Sequence, residues 1–326
     1  MTEWEPGNRR AAGSGSDGMN WKGVPPESGA VVMSIGVVSV ASGMAGFPVL
    51  SLVLLVGAAA SWGVLAVAFL TRISFDTKRW LWEAGRPGAL TCVAATGVLG
   101  LGLHFWAAAW VLLVVATLLW LGLMPLVLRG WRTPTVGVNF LVCVATQSLA
   151  VLAGQLAIDA RSPLLLWVCA GATALGLVLY AAVLVPFDFR QLSRGAGDHW
   201  IAGGALAIST VATGKLHFAL QALEMPTAAA TVRTIDLVLW AITVGWYLVL
   251  VVFELLAPRL RYDFRRWATV FPLGMTCAAC FSTAAASGIA WMADAAWILL
   301  WPALVVLCLT AWGTVRSFLA KPRLSR

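Results

Sequence analysis

Few residues in this chain are equipped for chemistry, and their positions narrow what that chemistry can be. The 326 residues include three histidines, 14 acidic and 22 basic side chains. Cys277 and Cys280 form a CxxC, but it lies in an apolar stretch with no second pair or histidine at metal-ligand spacing. No nucleophile has a base nearby and no Asp/His/Glu cluster forms, so neither an enzyme nor a cofactor is expected. What stands out is a polar stripe. Thr210, Thr213, Gly214, His217 and Gln221 recur at i, i+3, i+4, i+7 and i+11, the spacing of one helix face. Gln147 adds an amide in another apolar stretch. Such groups at membrane depth need water or partners, which suits passage of small polar species. Lys215 falls about 200° from His217 around the same helix, so one of the two faces lines a path. The stripe is assigned to the path. Lys215 is assigned to the outer headgroups or a neighbouring helix, with anion attraction as its alternative role.

The elements that must position these residues follow from composition. Hydrophobic residues make up 60% and charged residues 11% of the chain, against about 25% charged in soluble domains, and mean hydropathy is +0.87. Apolar stretches fall at 29–47, 48–73, 88–105, 107–129, 135–159, 163–186, 199–224, 233–257, 265–293 and 294–318. Each approaches the 20 or so residues that cross a bilayer. Pro48, Pro87-Gly88, Pro134, Pro163 and Pro258 separate them. The expected fold is all-α and integral to the membrane: ten transmembrane helices as five hairpins over 28–318. Residues 1–27 and 319–326 are expected to be cytoplasmic tails, the first disordered because it is rich in Gly, Ser, Pro and charge and holds no apolar run. It is not read as a signal peptide.

Charge sets the orientation. With the N-terminus inside, nineteen Lys and Arg fall on the cytoplasmic side and two, Arg161 and Arg233, on the other. The positive-inside rule then puts both termini in the cytoplasm of a plasma (inner) membrane. Because the basic residues sit in alternate loops, the net charge of +8 does not indicate nucleic-acid binding. Tryptophans near the span boundaries, such as Trp80, Trp82, Trp106, Trp131 and Trp200, are read as an interfacial belt.

Odd-numbered spans are rich in Gly, Ser and Thr, whereas even-numbered spans are mostly Leu, Val, Ala and Trp. Two readings compete: small residues let helices pack closely, or the odd helices ring a polar pore. Both place them inside. The pore reading is favoured by Gln147, His217 and Gln221.

Four stretches, PPESGAVVMSIGVVSV at 25–40, VATQSLAVLAGQLA at 144–157, WIAGGALAIST at 200–210 and RYDFRRWATVFPLGM at 261–275, resemble the tellurite-resistance/dicarboxylate transporter (TDT) family, which includes the plant slow anion channels. The resemblance implies five inner helices around a central pore and a homotrimer with one pore per subunit. It also implies a gate, since a phenylalanine before a proline on the ninth helix blocks the pore in that family. Phe271-Pro272 stands at the matching place. Helical phase puts Phe271, Gly274, Ala278, Ser282 and Ala285 on one face, a bulky ring heading a stripe of small residues; the alternative is a phenylalanine packed between helices. The chain differs from many members in carrying glycines where they have helix-kinking prolines, and in Lys215, where an apolar residue is expected.

The expected function is a channel or transporter for small anions (inorganic anions, oxyanions or dicarboxylates). The alternatives are an ion-coupled exporter of tellurite, sulfite or dicarboxylate, and a non-transporting membrane protein or membrane-embedded enzyme. Asp236, Glu254 and Glu224 fall toward the ends of the assigned spans, leaving His217 and His104 as the titratable couplers near neutral pH.

Overall fold

Proline and glycine turn the chain back on itself at short intervals, and helices occupy what lies between. The computed structural model describes residues 26–103, 106–195, 197–258 and 262–319. His104 and nearly all of both tails lie outside them. The described residues form α1 (Gly29–Met44), α2 (Pro48–Phe75), α3 (Thr77–Ala84), α4 (Thr91–Gly102), α5 (Trp106–Arg129) and α6 (Leu141–Ala160). There follow α7 (Pro163–Leu184), α8 (Gln191–Arg194), α9 (Ile201–Ala222), α10 (Pro226–Leu256), α11 (Trp267–Ser287) and α12 (Ala290–Leu319).

Ten of these are long, and each is packed on its partner as an antiparallel pair: α1 on α2, α4 on α5, α6 on α7, α9 on α10 and α11 on α12. Four of the tight turns carry a residue at positive φ, namely Gly46, Arg161, Glu224 and Gly288. Pro48, Pro163 and Pro226 open α2, α7 and α10, a position where the missing N–H costs no helical bond. The first helix of every pair enters differently, through a 3-10 turn: Pro26–Ser28, Pro87–Leu90, Gly137–Phe140, Asp198–Trp200 and Phe264–Arg266. The structure thus repeats one unit five times.

The first helices of the pairs also contact one another in a closed circuit, α1 to α4 to α6 to α9 to α11 and back to α1. Burial separates the two sets. Within the most apolar 18-residue window, 89% of residues are buried for α6 and for α11, against 17% for α2 and α10, 22% for α12 and 33% for α5 and α7. The outer set displays Leu52, Val56, Val111, Leu118, Val238, Ile242, Val305 and Leu309 at its surface, an apolar coat untenable in water and suited to lipid. Among the described residues seven helices are long and apolar enough to cross a membrane; α1 and α4 are apolar but shorter. An inner helix shielded by outer ones has less need of hydropathy, which leaves room for the Gly, Ser, Thr, His and Lys of α9.

Two boundaries and one additional helix differ from expectation. α10 starts at Pro226, seven residues before the expected 233, because proline at N1 lets the helix run past the end of its apolar stretch. α11 ends at Ser287, not 293, because Gly288 at φ 75 breaks it. The amphipathic α3, unforeseen, is tied to α2 by the Arg72–Glu83 pair at 2.8 Å. Tryptophan is not confined to a belt either. Trp62 of α2 donates to Thr96 of α4 at 3.0 Å and Trp120 of α5 to Thr146 of α6 at 2.9 Å, pinning outer helices to inner ones.

Candidate functional site

The first turns of the five inner helices share one space. Ala30 and Met33 of α1, Thr91 of α4, Leu141 of α6, Ile201 of α9 and Ala268 of α11 line a vestibule of about 860 Å³. Arg190, Arg194 and Arg265 are at its wall with Glu27, Asp188 and Asp198, so its formal charges cancel. Five helix N-termini converge here with their positive dipole ends.

Two turns further, the same helices line a second space. Seven residues bring a helix back to nearly the same face, about 10 Å along. Counting seven from the vestibule residues gives Val98, Ser148, Ile208 and Met275, and from Ala30 gives Val37. All five line a chamber of about 400 Å³. Val151 and Gln155 of α6, Val211, Lys215 and Phe218 of α9, and Ala278, Ser282 and Ala285 of α11 continue the stripes.

The turn between these two sets of residues lines neither space. It holds Ala94 of α4, Val144 of α6, Gly204 of α9 and Phe271 of α11, all buried. In this layer Phe271 supplies the one large ring, and none of it is exposed. Its ring lies against the backbone of α9: a Cβ added at Gly204 would stand 2.6 Å from Phe271 Cε1 and 2.9 Å from Pro272 Cγ. Glycine at 204 is what lets the ring sit there. Pro272 within α11 removes a helical N–H, and Thr276 bonds its carbonyl at 2.8 Å.

The chamber wall is mostly apolar, with one cation. Lys215 Nζ donates to Gln155 Oε1 at 2.6 Å, and Gln155 Nε2 donates to Asp159 Oδ1 at 2.9 Å. Among the described residues no carboxylate pairs directly with the lysine. Its stem passes α6 at Gly154, where a Cβ would meet Lys215 Cβ at 2.8 Å.

This reverses the assignment of faces on α9. Thr210 meets Thr243 of α10 at 3.0 Å, Thr213 donates to Asp236 of α10 at 2.6 Å, and His217 Nδ1 lies 2.8 Å from the Ala229 carbonyl of α10. Gly214 packs against Ser282 and Asp236. His217 and Gln221 line a separate surface depression. Gln147 likewise turns from the chamber, its Nε2 donating to the Thr173 carbonyl of α7 at 3.1 Å. Gly274 packs on Val37 and Val38 of α1, and Met275 takes its place on the chamber stripe. Of the expected lining, Ala278 and Ser282 reach the chamber, and Lys215 joins them. The reason is that an inner helix is enclosed on all sides, so its polar groups find partners on outer helices as readily as in the centre. Gln147→Leu is accordingly expected to leave transport close to wild type and to change thermal stability instead, measured as flux and melting on one preparation.

Residues 23–315 match the family model described as voltage-dependent anion channel (SLAC1). The chain belongs to this family. The match takes in all five helix pairs. No curated protein matches the chain. Membership of the voltage-dependent anion channel family agrees with an all-helical, multi-pass membrane protein whose two central spaces are lined by the same five helices.

Proposed function

We propose that this protein carries small anions passively across a membrane through the centre of the five-helix ring, with Phe271 as the gate. The observation that carries the reading is that matched faces of the same five helices line the vestibule and, two turns on, the chamber, with Phe271 buried between. The wall is apolar at the level of Phe271, where a hydrophobic constriction gates by excluding water. Beyond it one lysine attracts anions without enclosing them, and a weakly held ion can leave. In this reading ten helices cross the bilayer, with the vestibule and both termini on the cytoplasmic side, which the distribution of Lys and Arg supports. Family resemblance adds a homotrimer with one conduit per subunit, checked by cross-linking in the membrane.

The test is flux into proteoliposomes of the purified chain with chloride, nitrate, sulfite, malate and tellurite as a panel. Movement of none of them would remove the proposal. Orientation has its own measurement. Single cysteines at 160–162 and 225–231, in a background without the native six, are expected to react with an impermeant thiol reagent from outside, and those at 74–86 and 187–197 are not. The reverse pattern would invert the protein.

A further inference from the structure

One carboxyl group has no part in the conduit just described. Asp236 stands ten residues into α10, about 15 Å from its first residue, rather than near a span end, and it is fully buried. Its Oδ1 accepts the Thr213 hydroxyl of α9 at 2.6 Å. Its Oδ2 is buried without a hydrogen-bond partner among the described residues. Beside it are His217 and the buried hydroxyl of Thr283, which is close enough to act on the carboxyl although the pair falls outside strict hydrogen-bond geometry. An ionisable group at this depth is costly to keep and marks function.

The charged groups around it are few. From α9 it faces His217, while Lys215 points to the chamber. On α10 itself the exposed Arg233 is one turn away. From α11 it meets Thr283 and no charged group, and Arg190 and Arg194, beside and on the short α8 that touches α10, line the vestibule. Among the described residues no lysine or arginine is within ion-pair distance of Asp236.

Asp236 lies between two openings. Toward the α9–α10 turn, His217, Gln221, Glu224 and Arg233 line the surface depression of about 400 Å³. Toward the centre, Ser282 lines the chamber. At Gly214 an added Cβ would collide with Ser282 Oγ and come within 3.7 Å of Asp236 Oδ1. The acid is therefore one side-chain layer behind the chamber wall.

We infer that Asp236 is a proton-binding site, reached from the surface depression through His217, and that its occupancy sets how readily anions enter the chamber. The inference rests on the anion-conduit reading and adds a regulating ligand, the proton. His217 suits the relay. The Ala229 carbonyl only accepts, so Nδ1 carries the ring hydrogen and Nε2 is the nitrogen free to take a proton. A proton from the medium adds to Nε2 and passes to the Asp236 carboxylate, which restores the neutral ring and leaves a neutral acid. The sign follows from Coulomb's law. An ionised Asp236 puts a negative charge behind Ser282 and opposes Lys215, whereas the neutral acid removes that opposition and leaves only Asp159, held beyond Gln155, acting on the lysine.

Anion flux is measured in proteoliposomes of the full chain at clamped voltage while external pH is varied. Infrared difference spectra of the same samples read the carboxylic-acid carbonyl band. Wild-type flux is expected to rise as external pH falls. Asp236→Asn, which mimics the neutral acid, should be pH-insensitive over that range and carry about tenfold more anion than wild type on the alkaline side, or about 1.4 kcal/mol. Asp236→Glu should keep the pH response. The acid band that appears on acidifying wild type should be missing from Asp236→Asn. If that variant does not reach the membrane, Thr213→Val, which strips the hydroxyl from Oδ1, must move the midpoint of the response. An unchanged pH response in Asp236→Asn overturns the inference, even if His217→Gln abolishes the response, and leaves the conduit intact. Absence of anion flux under every condition overturns the conduit instead, and the infrared band still decides whether Asp236 takes up a proton.

Discussion

Phe271→Ala is expected to raise basal anion flux by about tenfold or more, a lowering of the barrier by about 1.4 kcal/mol. The phenyl ring is fully buried and lies against Gly204, one turn from the residues that line the vestibule and one from those that line the chamber. Removing it opens both a hole and a route for water. At an ordinary packed site the same change would cost about 3–5 kcal/mol of stability and lower the amount of protein in the membrane. The two outcomes have opposite signs. A gate variant gains flux per molecule, and a core variant loses molecules. Phe271→Leu should fall between alanine and wild type. Phe281, in α11 but off the chamber stripe, supplies the control: Phe281→Ala should leave basal flux unchanged. A folded, membrane-inserted Phe271→Ala with wild-type flux would reduce Phe271 to a packing residue.

Neutralising Lys215 is expected to produce the second large effect, in the opposite direction. An anion about 4 Å from an ammonium gains about 4 kcal/mol at an effective dielectric near 20, before the cost of stripping its water. Lys215→Met keeps the length and apolar stem of the side chain and removes the charge. It should lower flux at low anion concentration by about tenfold and raise the half-saturating concentration. Lys215→Arg should retain most of the flux, and Lys215→Glu should abolish the preference for anions over cations, read from the reversal potential. Because Gln155 bonds the ammonium at 2.6 Å, Gln155→Leu frees the lysine and should change affinity without removing anion preference. Wild-type affinity and selectivity in Lys215→Met would mean that the chamber attracts anions by other means.

How far the sequence reaches can be judged residue by residue. In hydrocarbon every backbone N–H and C=O must be satisfied within its own helix or a closed barrel, so apolar stretches of this length could only be helices. Pro48 and Pro163 marked real turns because proline limits backbone angles wherever it occurs. The split between inner and outer helices was legible as well, since close packing needs Gly, Ser and Thr while a lipid-facing surface needs Leu and Val. A gate at Phe271 was read from a resemblance and a helical phase together, and it stands as a proposal. What remained hidden was rotation and depth. Gln147, Thr213 and His217 looked like a lining, yet they bond to α7 and α10, and Lys215 on the opposite face reaches the chamber. Asp236 looked peripheral because the apolar stretch was taken to begin at 233, whereas Pro226 starts the helix and puts the acid in its third turn. Local patterns report how polar a helix face is. They do not report which neighbour covers it, because an inner helix is buried on every side and only the packing of five helices around one centre decides which face meets open space.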